Sequence, residues 1–332
     1  MLNKDLFLNE KVFDADVEKD ATRRGYGNGL LELGQQNQNV VALSADLTES
    51  TKADKFAKTF PERFFQVGVA EQNMAAVAAG LGVSGKTVFI SSYATFSPGK
   101  NWETIRTTII YNETNVKIAG HHAGIMTGPD GATHQATEDV ASIRAWPIIK
   151  IIIPCDSLQG RLATIHSGKD KGPYYLRFSR DKTPILTTND TLFEFGKAQT
   201  FWTNENPQAV IFATGYMTYY ALVAAKELEE EGIQVLVTNV HTIKPIDEKT
   251  IITQAKQTGA VVSVEDHQIA GGLGSAIAEV LAKNLPTPQE FIGLQDTFGE
   301  SGTPTELIEK YGMGAQSIKN AVKKVIERKT KL

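Results

Sequence analysis

The 332 residues are 41% hydrophobic and 22% charged, the make-up of a globular chain long enough for about two domains. A net charge of -4 gives no sign of the broad basic surface on which nucleic acids bind, and no apolar run approaches the roughly 20 residues of a membrane helix. Cys155 is the sole cysteine, which excludes intrachain disulfides and multi-cysteine metal sites; with a polar opening stretch, MLNKDLFLNEKVFDADVEKD, that lacks the apolar core of a leader, a cytoplasmic protein is expected.

After that polar arm, GYGNGLLELGQQN reads as a helix and NVVALSADL as a buried strand. RFFQVGV (strand), AEQNMAAVAAGLG (helix), KTVFISSYATF (strand), PGKNWETIRTTIIYNE (helix) and NVKIAGHH (strand) follow. A Gly-rich loop leads into HQATEDVASIRAW (helix), then IIKIIIPC (strand), SLQGRLATIHSG (helix) and PYYLRFSR (strand). The turn-rich stretch DKTPILTTNDTLFEF, from Asp181 to about Phe195, reads as a linker. A second alternating set then runs from QAVIFATG to EFIGLQD, closed by the helices PTELIEKYG and AQSIKNAVKKVIERKTK. Continuous Val/Ile/Ala runs alternating with amphipathic helices predict mostly parallel sheets covered on both faces, so the fold class is α/β with two doubly wound domains.

Two glycine motifs invite a nucleotide reading. GLGVSGKT, residues 80 to 87, satisfies the phosphate-loop pattern letter for letter, but it ends a helix and begins a strand, the reverse of the order that chemistry requires. Gly80, Gly82 and Gly85 read instead as helix-end and turn glycines. In AGGLGSAIAE, Gly272 and Gly274 do follow a strand and open a helix, yet the third glycine of a dinucleotide fingerprint is missing; close packing of helix on sheet explains them as well.

Chemistry concentrates elsewhere. HHAGIMTGPDGATHQ places His121, His122, His134 and Asp130 in a loop between a strand's C-terminal end and a helix, where open α/β sheets bind ligands. Ring nitrogens beside Gly124, Gly128 and Gly131 suit a substrate with several hydroxyls or a phosphate; a solvated loop and, more weakly, a zinc site are the competing readings. Glu71 stands at the junction of a buried strand and an Ala-rich helix, either as a desolvated carboxyl favouring its neutral form or as a helix N-terminal acid. Tyr93 and Phe96, at the exit of the next strand, are core residues or a stacking platform for a flat ring.

VGVAEQNM, SSYATFSPGKNWETIR, GPDGATHQATED, HTIKPID and EDHQIAGGLGSAIAE together resemble transketolase, and more closely the C-terminal subunit of transketolases split into two chains. The resemblance covers nearly everything beyond residue 20. It implies a thiamine diphosphate pyrimidine-binding domain at 19–188, after an arm at 1–18, then a linker at 189–195 and a transketolase C-terminal domain at 196–332. It implies that Glu71 hydrogen-bonds a pyrimidine nitrogen of the cofactor, promoting the imino tautomer that takes the thiazolium proton, a task for a carboxyl able to hold a proton. Phe96 and Tyr93 match aromatics packed on the pyrimidine, Tyr93 where the family usually has Phe, and Asp46 matches a residue near the thiazolium end. His122 and His134 match contacts to the sugar phosphate and its hydroxyls, with proton transfer open to His134. Asp130 matches the acid that reads the donor's hydroxyls, next to Pro129 where the family often has Glu. Arg23, Arg180 and Ser50 match phosphate-binding positions.

No segment resembles the motif that holds the diphosphate through Mg²⁺. The resemblance therefore implies a partner: an N-terminal subunit carrying the diphosphate-binding domain and most of the Mg²⁺ site. Self-association through a dimer core would build a heterotetramer acting on sugar phosphates of the pentose phosphate pathway, without nucleic acid or membrane. Deoxyxylulose-phosphate synthase, the β subunit of 2-oxo-acid dehydrogenases and a non-catalytic regulatory subunit are the alternatives. His241 and His267 read as structural.

Overall fold

The computed structural model describes residues 1–331. In chain order its strands are β1 (Lys19–Ala21), β2 (Val40–Ser44), β3 (Phe64–Gln66), β4 (Thr87–Tyr93), β5 (Val116–His121), β6 (Lys150–Ile152), β7 (Tyr174–Arg177), β8 (Lys182–Pro184), β9 (Gln199–Trp202), β10 (Ala209–Ala213), β11 (Val235–Asn239), β12 (Thr242–Lys244), β13 (Val261–Gln268) and β14 (Gln289–Leu294). Among the described residues a seven-stranded sheet has the order β12-β6-β7-β5-β4-β2-β3 and a five-stranded sheet the order β14-β13-β10-β11-β9. Both are parallel apart from one edge strand each, β12 on β6 and β9 on β11. Helices separate successive parallel strands, so the expected α/β architecture of two doubly wound sheets is what the chain adopts.

Alternation along β2 shows why its run VVALS carries no polar face. Val40 and Ala42 pack with Tyr26, Leu30, Phe56 and Phe89 on one side; Val41 and Leu43 pack with Met74, Ala75 and Ile105 on the other. Helices Thr22–Gln36 and Ser157–Lys169 bring side chains to the first layer, helix Glu71–Val83 to the second. The second layer continues without a break into the other half of the chain, through Phe212, Leu236, Ile243, Ile251 and Ile277. The two sheets thus share a core.

Three segments depart from their sequence reading. The stretch from Asp181 onward is not merely a linker: β8 pairs antiparallel with β1, and the Asp156 carboxylate accepts from the Leu186 and Thr187 amides at 2.8 and 2.7 Å. These partners lie far away in sequence, so local composition cannot announce them. PGKNWETIRTTIIYNE is not one helix; π-turns at Thr95–Lys100 and Ile105–Ile110 flank a short α-turn at Trp102–Thr104, with Pro98 inside the first. In HQATEDVASIRAW the α-helix spans Asp139–Arg144, and His134 belongs to the preceding 3₁₀ turn Ala132–His134. Among the described residues no helix is long and apolar enough to cross a membrane.

Both glycine motifs find structural explanations. GLGVSGKT closes helix Glu71–Val83 and runs into β4, with Lys86 Nζ donating to Asn39 Oδ1 at 3.2 Å. At the start of helix Leu273–Asn284, the Leu273 and Gly274 amides donate to the Glu265 carboxylate at 2.7 and 2.8 Å. The chain's own carboxylate fills the place a phosphate would take. A Cβ on Gly272 would lie 2.0 Å from Glu265 Oε2, so a side chain there cannot coexist with this capping.

Burial pushes Glu265 up to about 7, against the pull of those two amides. An unfolded glutamate ionises near 4.3, so between about pH 4.3 and 7 the folded chain keeps a proton that the unfolded chain has lost. Stability from this group is present below that window and falls as pH rises through it. Glu265→Gln, which cannot ionise, is expected to lose this component of the decline when melting temperature is followed from about pH 5 to 8. Parallel profiles for the two proteins would show that Glu265 does not carry the proton.

Candidate active site

The C-terminal ends of β2, β4, β5 and β7 deliver Asp46, Tyr93, His122 and Arg180 to one edge of the seven-stranded sheet. After β3 the chain returns to the opposite side of β2 to form β4, the kind of switch in strand order that opens a crevice at such an edge.

Glu71 begins helix Glu71–Val83 and is 1% exposed. Its Oε2 accepts from Lys100 Nζ at 2.9 Å, and its backbone carbonyl accepts from Asn101 Nδ2 at 3.0 Å. Of its two sequence readings, the desolvated carboxyl describes the burial, but the sequence did not disclose the ion pair. Helix capping is not its hydrogen-bonding role among the described residues. Lys100 comes from the π-turn that also carries Phe96, so the irregular backbone after β4 brings a cation to that carboxylate from the segment that holds the aromatic ring.

Four rings cluster at the same sheet edge. Tyr93 stacks on His122 with centroids 3.8 Å apart and lies nearly parallel to Phe96 at 6.0 Å. His134 presents its edge to both, at 6.1 Å from Tyr93 and 5.5 Å from Phe96. Tyr93 is thus committed to a histidine as well as to any flat ligand. His121, the third histidine of the loop, turns the other way, buried against Tyr26 and Phe178.

The loop after β5 is held from the C-terminal half, which sequence reasoning did not anticipate. Asp266, on β13, accepts from the Ile125 amide at 3.0 Å, the Met126 amide at 3.4 Å and Tyr216 Oη at 2.6 Å. Gln135 Nε2 donates to the Glu300 carbonyl at 2.9 Å. Thr127 Oγ1 donates to the His122 carbonyl at 2.6 Å, fixing a residue whose φ is +53°. Gly124 has φ +78°, and a Cβ there would sit 1.9 Å from Asp266 Oδ2. Gly124→Ala is therefore expected to cost about 2–4 kcal/mol and lower the melting temperature by several degrees in thermal unfolding. An unchanged melting temperature would mean that the clamp yields.

Cations face the rings. Arg23 Nη1 donates to the Ser50 carbonyl at 2.7 Å, while its buried Nε has no hydrogen-bond partner among the described residues. Arg180 donates to the Thr127 carbonyl at 2.6 Å and lies 3.3 Å from Asp130, pairing two of the predicted substrate-binding residues with each other. Burial, followed by the charges of Arg23 and Arg180, pushes His122 down to about 2. His122 is consequently neutral, able to donate from one nitrogen and accept at the other, and its buried Nδ1 has no partner among the described residues. His134 Nδ1 is 2.9 Å from Thr133 Oγ1. Lys52 is a further cation near His122.

Asp46 sits exposed just past β2 with φ +60°, its amide bonded to Gln66 Oε1 at 2.7 Å rather than to the rings or cations. His241 and His267 are buried in the C-terminal half, next to Thr242 and accepting from the Ala141 amide respectively. No group of three or more His, Cys, Asp or Glu able to hold a metal occurs among the described residues. Lys100, Lys52, Gln135 and Asp266 escaped the sequence reading as individual residues, although Lys100, Gln135 and Asp266 lie inside the quoted segments SSYATFSPGKNWETIR, HHAGIMTGPDGATHQ and EDHQIAGGLGSAIAE.

Residues 18–185 match the transketolase pyrimidine binding domain family, and residues 196–318 the transketolase C-terminal domain family. A putative transketolase C-terminal section from Methanocaldococcus jannaschii is 45% identical over 93% of this chain and 96% of that protein. The 6-deoxy-6-sulfo-D-fructose transketolase subunit SqwH of a Clostridium species is 39% identical over 96% of this chain and 98% of its own length. A solved structure described as a split gene transketolase, inactive beta4 tetramer, superimposes with a TM-score of 0.87 at 46% identity, covering 93% of this chain and 99% of that one.

Proposed function

This chain belongs to the transketolase family as the C-terminal subunit of a split transketolase, and we propose that it works with thiamine diphosphate to move a two-carbon ketol unit from a ketose phosphate to an aldose phosphate. One observation carries the reading: a buried carboxylate, Glu71, and the ring cluster of Phe96, Tyr93, His122 and His134 share an edge with two arginines. The side chains suit the pyrimidine half of that cofactor, since a 1% exposed carboxyl is held by Lys100 from the segment that carries Phe96, and the buried Thr95 Oγ1 has no hydrogen-bond partner among the described residues. Bound thiamine diphosphate supplies the carbanion chemistry that makes and breaks the carbon–carbon bond.

This chain supplies the rest. Glu71 would hydrogen-bond a pyrimidine nitrogen and hold or release the proton there, Phe96 and Tyr93 would position the ring, and Asp46 would serve the thiazolium end. Arg23 and Arg180, with Ser50, bind the terminal anion of the sugar by forked charge-assisted hydrogen bonds. Neutral His122 and Asp130 read hydroxyls, and His134, at the mouth of the ring cluster, moves a proton to or from the sugar. The diphosphate and Mg²⁺ belong to an N-terminal partner subunit. Two copies of each chain make the assembly, and this chain alone is inactive, as the similar beta4 tetramer is described.

The test is ketol transfer from xylulose 5-phosphate to ribose 5-phosphate with thiamine diphosphate and Mg²⁺, run on this chain alone and with its partner. Activity in the mixture alone supports the reading; activity without the partner overturns the division of labour. A parallel arm with 6-deoxy-6-sulfofructose asks whether the arginines accept a sulfonate, the group named for the Clostridium relative.

A further inference from the structure

Lys100 takes no part in the function proposed above, yet it holds the carboxylate on which that function turns. Glu71 is 1% exposed and the Lys100 side chain 47% exposed, so a carboxylate removed from water is paired with a cation that still touches it. A buried carboxylate without a partner is strongly disfavoured, and in this chain Lys100 Nζ, at 2.9 Å, is the partner. Asn101 ties the same backbone together, donating from Nδ2 to the Glu71 carbonyl at 3.0 Å and to Ser97 Oγ at 3.2 Å. Glu71, Lys100 and the Phe96 segment are therefore one mechanical unit.

A carboxylate locked to an ammonium cannot donate a hydrogen bond to a ring nitrogen, because an ionised carboxylate only accepts. Lys100 has somewhere to go, since half of its side chain already meets solvent; Glu71 does not. We propose that Lys100 is a positioning residue that stows Glu71 as an ion pair until the cofactor arrives; it must release Oε2 to water, and the carboxylate must take up a proton from solvent, before Glu71 can donate to the pyrimidine nitrogen. The inference rests on the cofactor role proposed for Glu71. Lys100 opposes cofactor uptake and keeps Glu71 correctly placed until uptake occurs.

The experiment measures the dissociation constant of thiamine diphosphate, by calorimetry with Mg²⁺ present, on this chain assembled with its partner. Lys100→Met and Lys100→Gln are expected to bind the cofactor about tenfold more tightly than wild type, whereas Lys100→Arg, which restores an ion pair, returns affinity to the wild-type value or weaker. In a Glu71→Gln background no ion pair remains to break, so adding Lys100→Met should change nothing. Unchanged or weaker binding by both neutral variants overturns the proposal, as does a full Lys100→Met effect in the Glu71→Gln background, which would mean that Lys100 acts on the cofactor directly. Failure of the underlying reading looks different: Glu71→Ala would then leave both cofactor affinity and turnover at wild-type levels.

Discussion

Glu71→Ala is expected to lower ketol-transfer turnover of the assembled enzyme by roughly 10³-fold or more, the upper part of the range for losing a positioned proton-transfer group. The substitution removes the buried carboxylate, 1% exposed, that is paired with Lys100 from the Phe96 segment. It should do little to the fold. The carboxylate's hydrogen bond goes to Lys100, which is half exposed and can return to water, and the backbone bond from Asn101 to the Glu71 carbonyl does not depend on the side chain. Circular dichroism and the assembly state should therefore match wild type while turnover collapses. A regulatory subunit would behave otherwise, with turnover reduced only slightly by the same change. Steady-state rates with saturating thiamine diphosphate decide between the two, since saturation separates lost chemistry from lost cofactor binding.

Arg23→Ala is expected to raise the KM for a phosphorylated ketose about 10- to 100-fold, with a smaller change in kcat, because a charge-assisted hydrogen bond to an anion contributes about 1.5–3 kcal/mol. Arg23 is suited to this measurement. Its Nη1 is used by the Ser50 carbonyl, but its buried Nε has no partner among the described residues, and burial followed by the neighbouring Arg180 charge lowers its pKa, marks of a cation short of anionic company. Arg180 is the harder residue to interpret, since it also pairs with Asp130 and donates to the Thr127 carbonyl. The discriminating control is an unphosphorylated ketose, whose KM should not move. An equal rise for both sugars would show that Arg23 matters by holding the Ser50 segment in place rather than by binding the anion.

These expectations show how the candidate site was divided between what local sequence discloses and what it conceals. The aromatic pair Tyr93 and Phe96, the histidines and Asp130 were visible because they crowd into short motifs at strand exits, and the strand runs themselves locate the exits. The partners that give those residues their properties were not. Lys100 was read into a regular helix, whereas the backbone there winds through a π-turn that aims it at Glu71. Asp266 and Gln135 clamp the glycine loop, through the Ile125 amide and the Glu300 carbonyl, from positions 141 and 165 residues away from their partners. No periodicity or spacing rule reaches that far. The neutrality of His122 likewise depends on burial and on Arg23 and Arg180, which the chain brings in from two other parts of the fold.

By itself the sequence determined the alternation of buried strands and amphipathic helices, hence two doubly wound sheets, because hydrophobic burial imposes a period that each segment must satisfy locally. It also settled that GLGVSGKT is no phosphate loop, because the order of helix and strand around it is a local property. Only the tertiary structure decided that β12 leaves the C-terminal half to complete the other sheet, that Glu265 fills its own helix terminus, and that Glu71 is met by Lys100. The first and last of those pair groups far apart in sequence, and the Glu265 bonds, although they span only 8 and 9 residues, cross from a strand to the next helix, which no single-element periodicity describes. Their free energy comes from the removal of water around both partners at once, and only the folded chain brings the partners together.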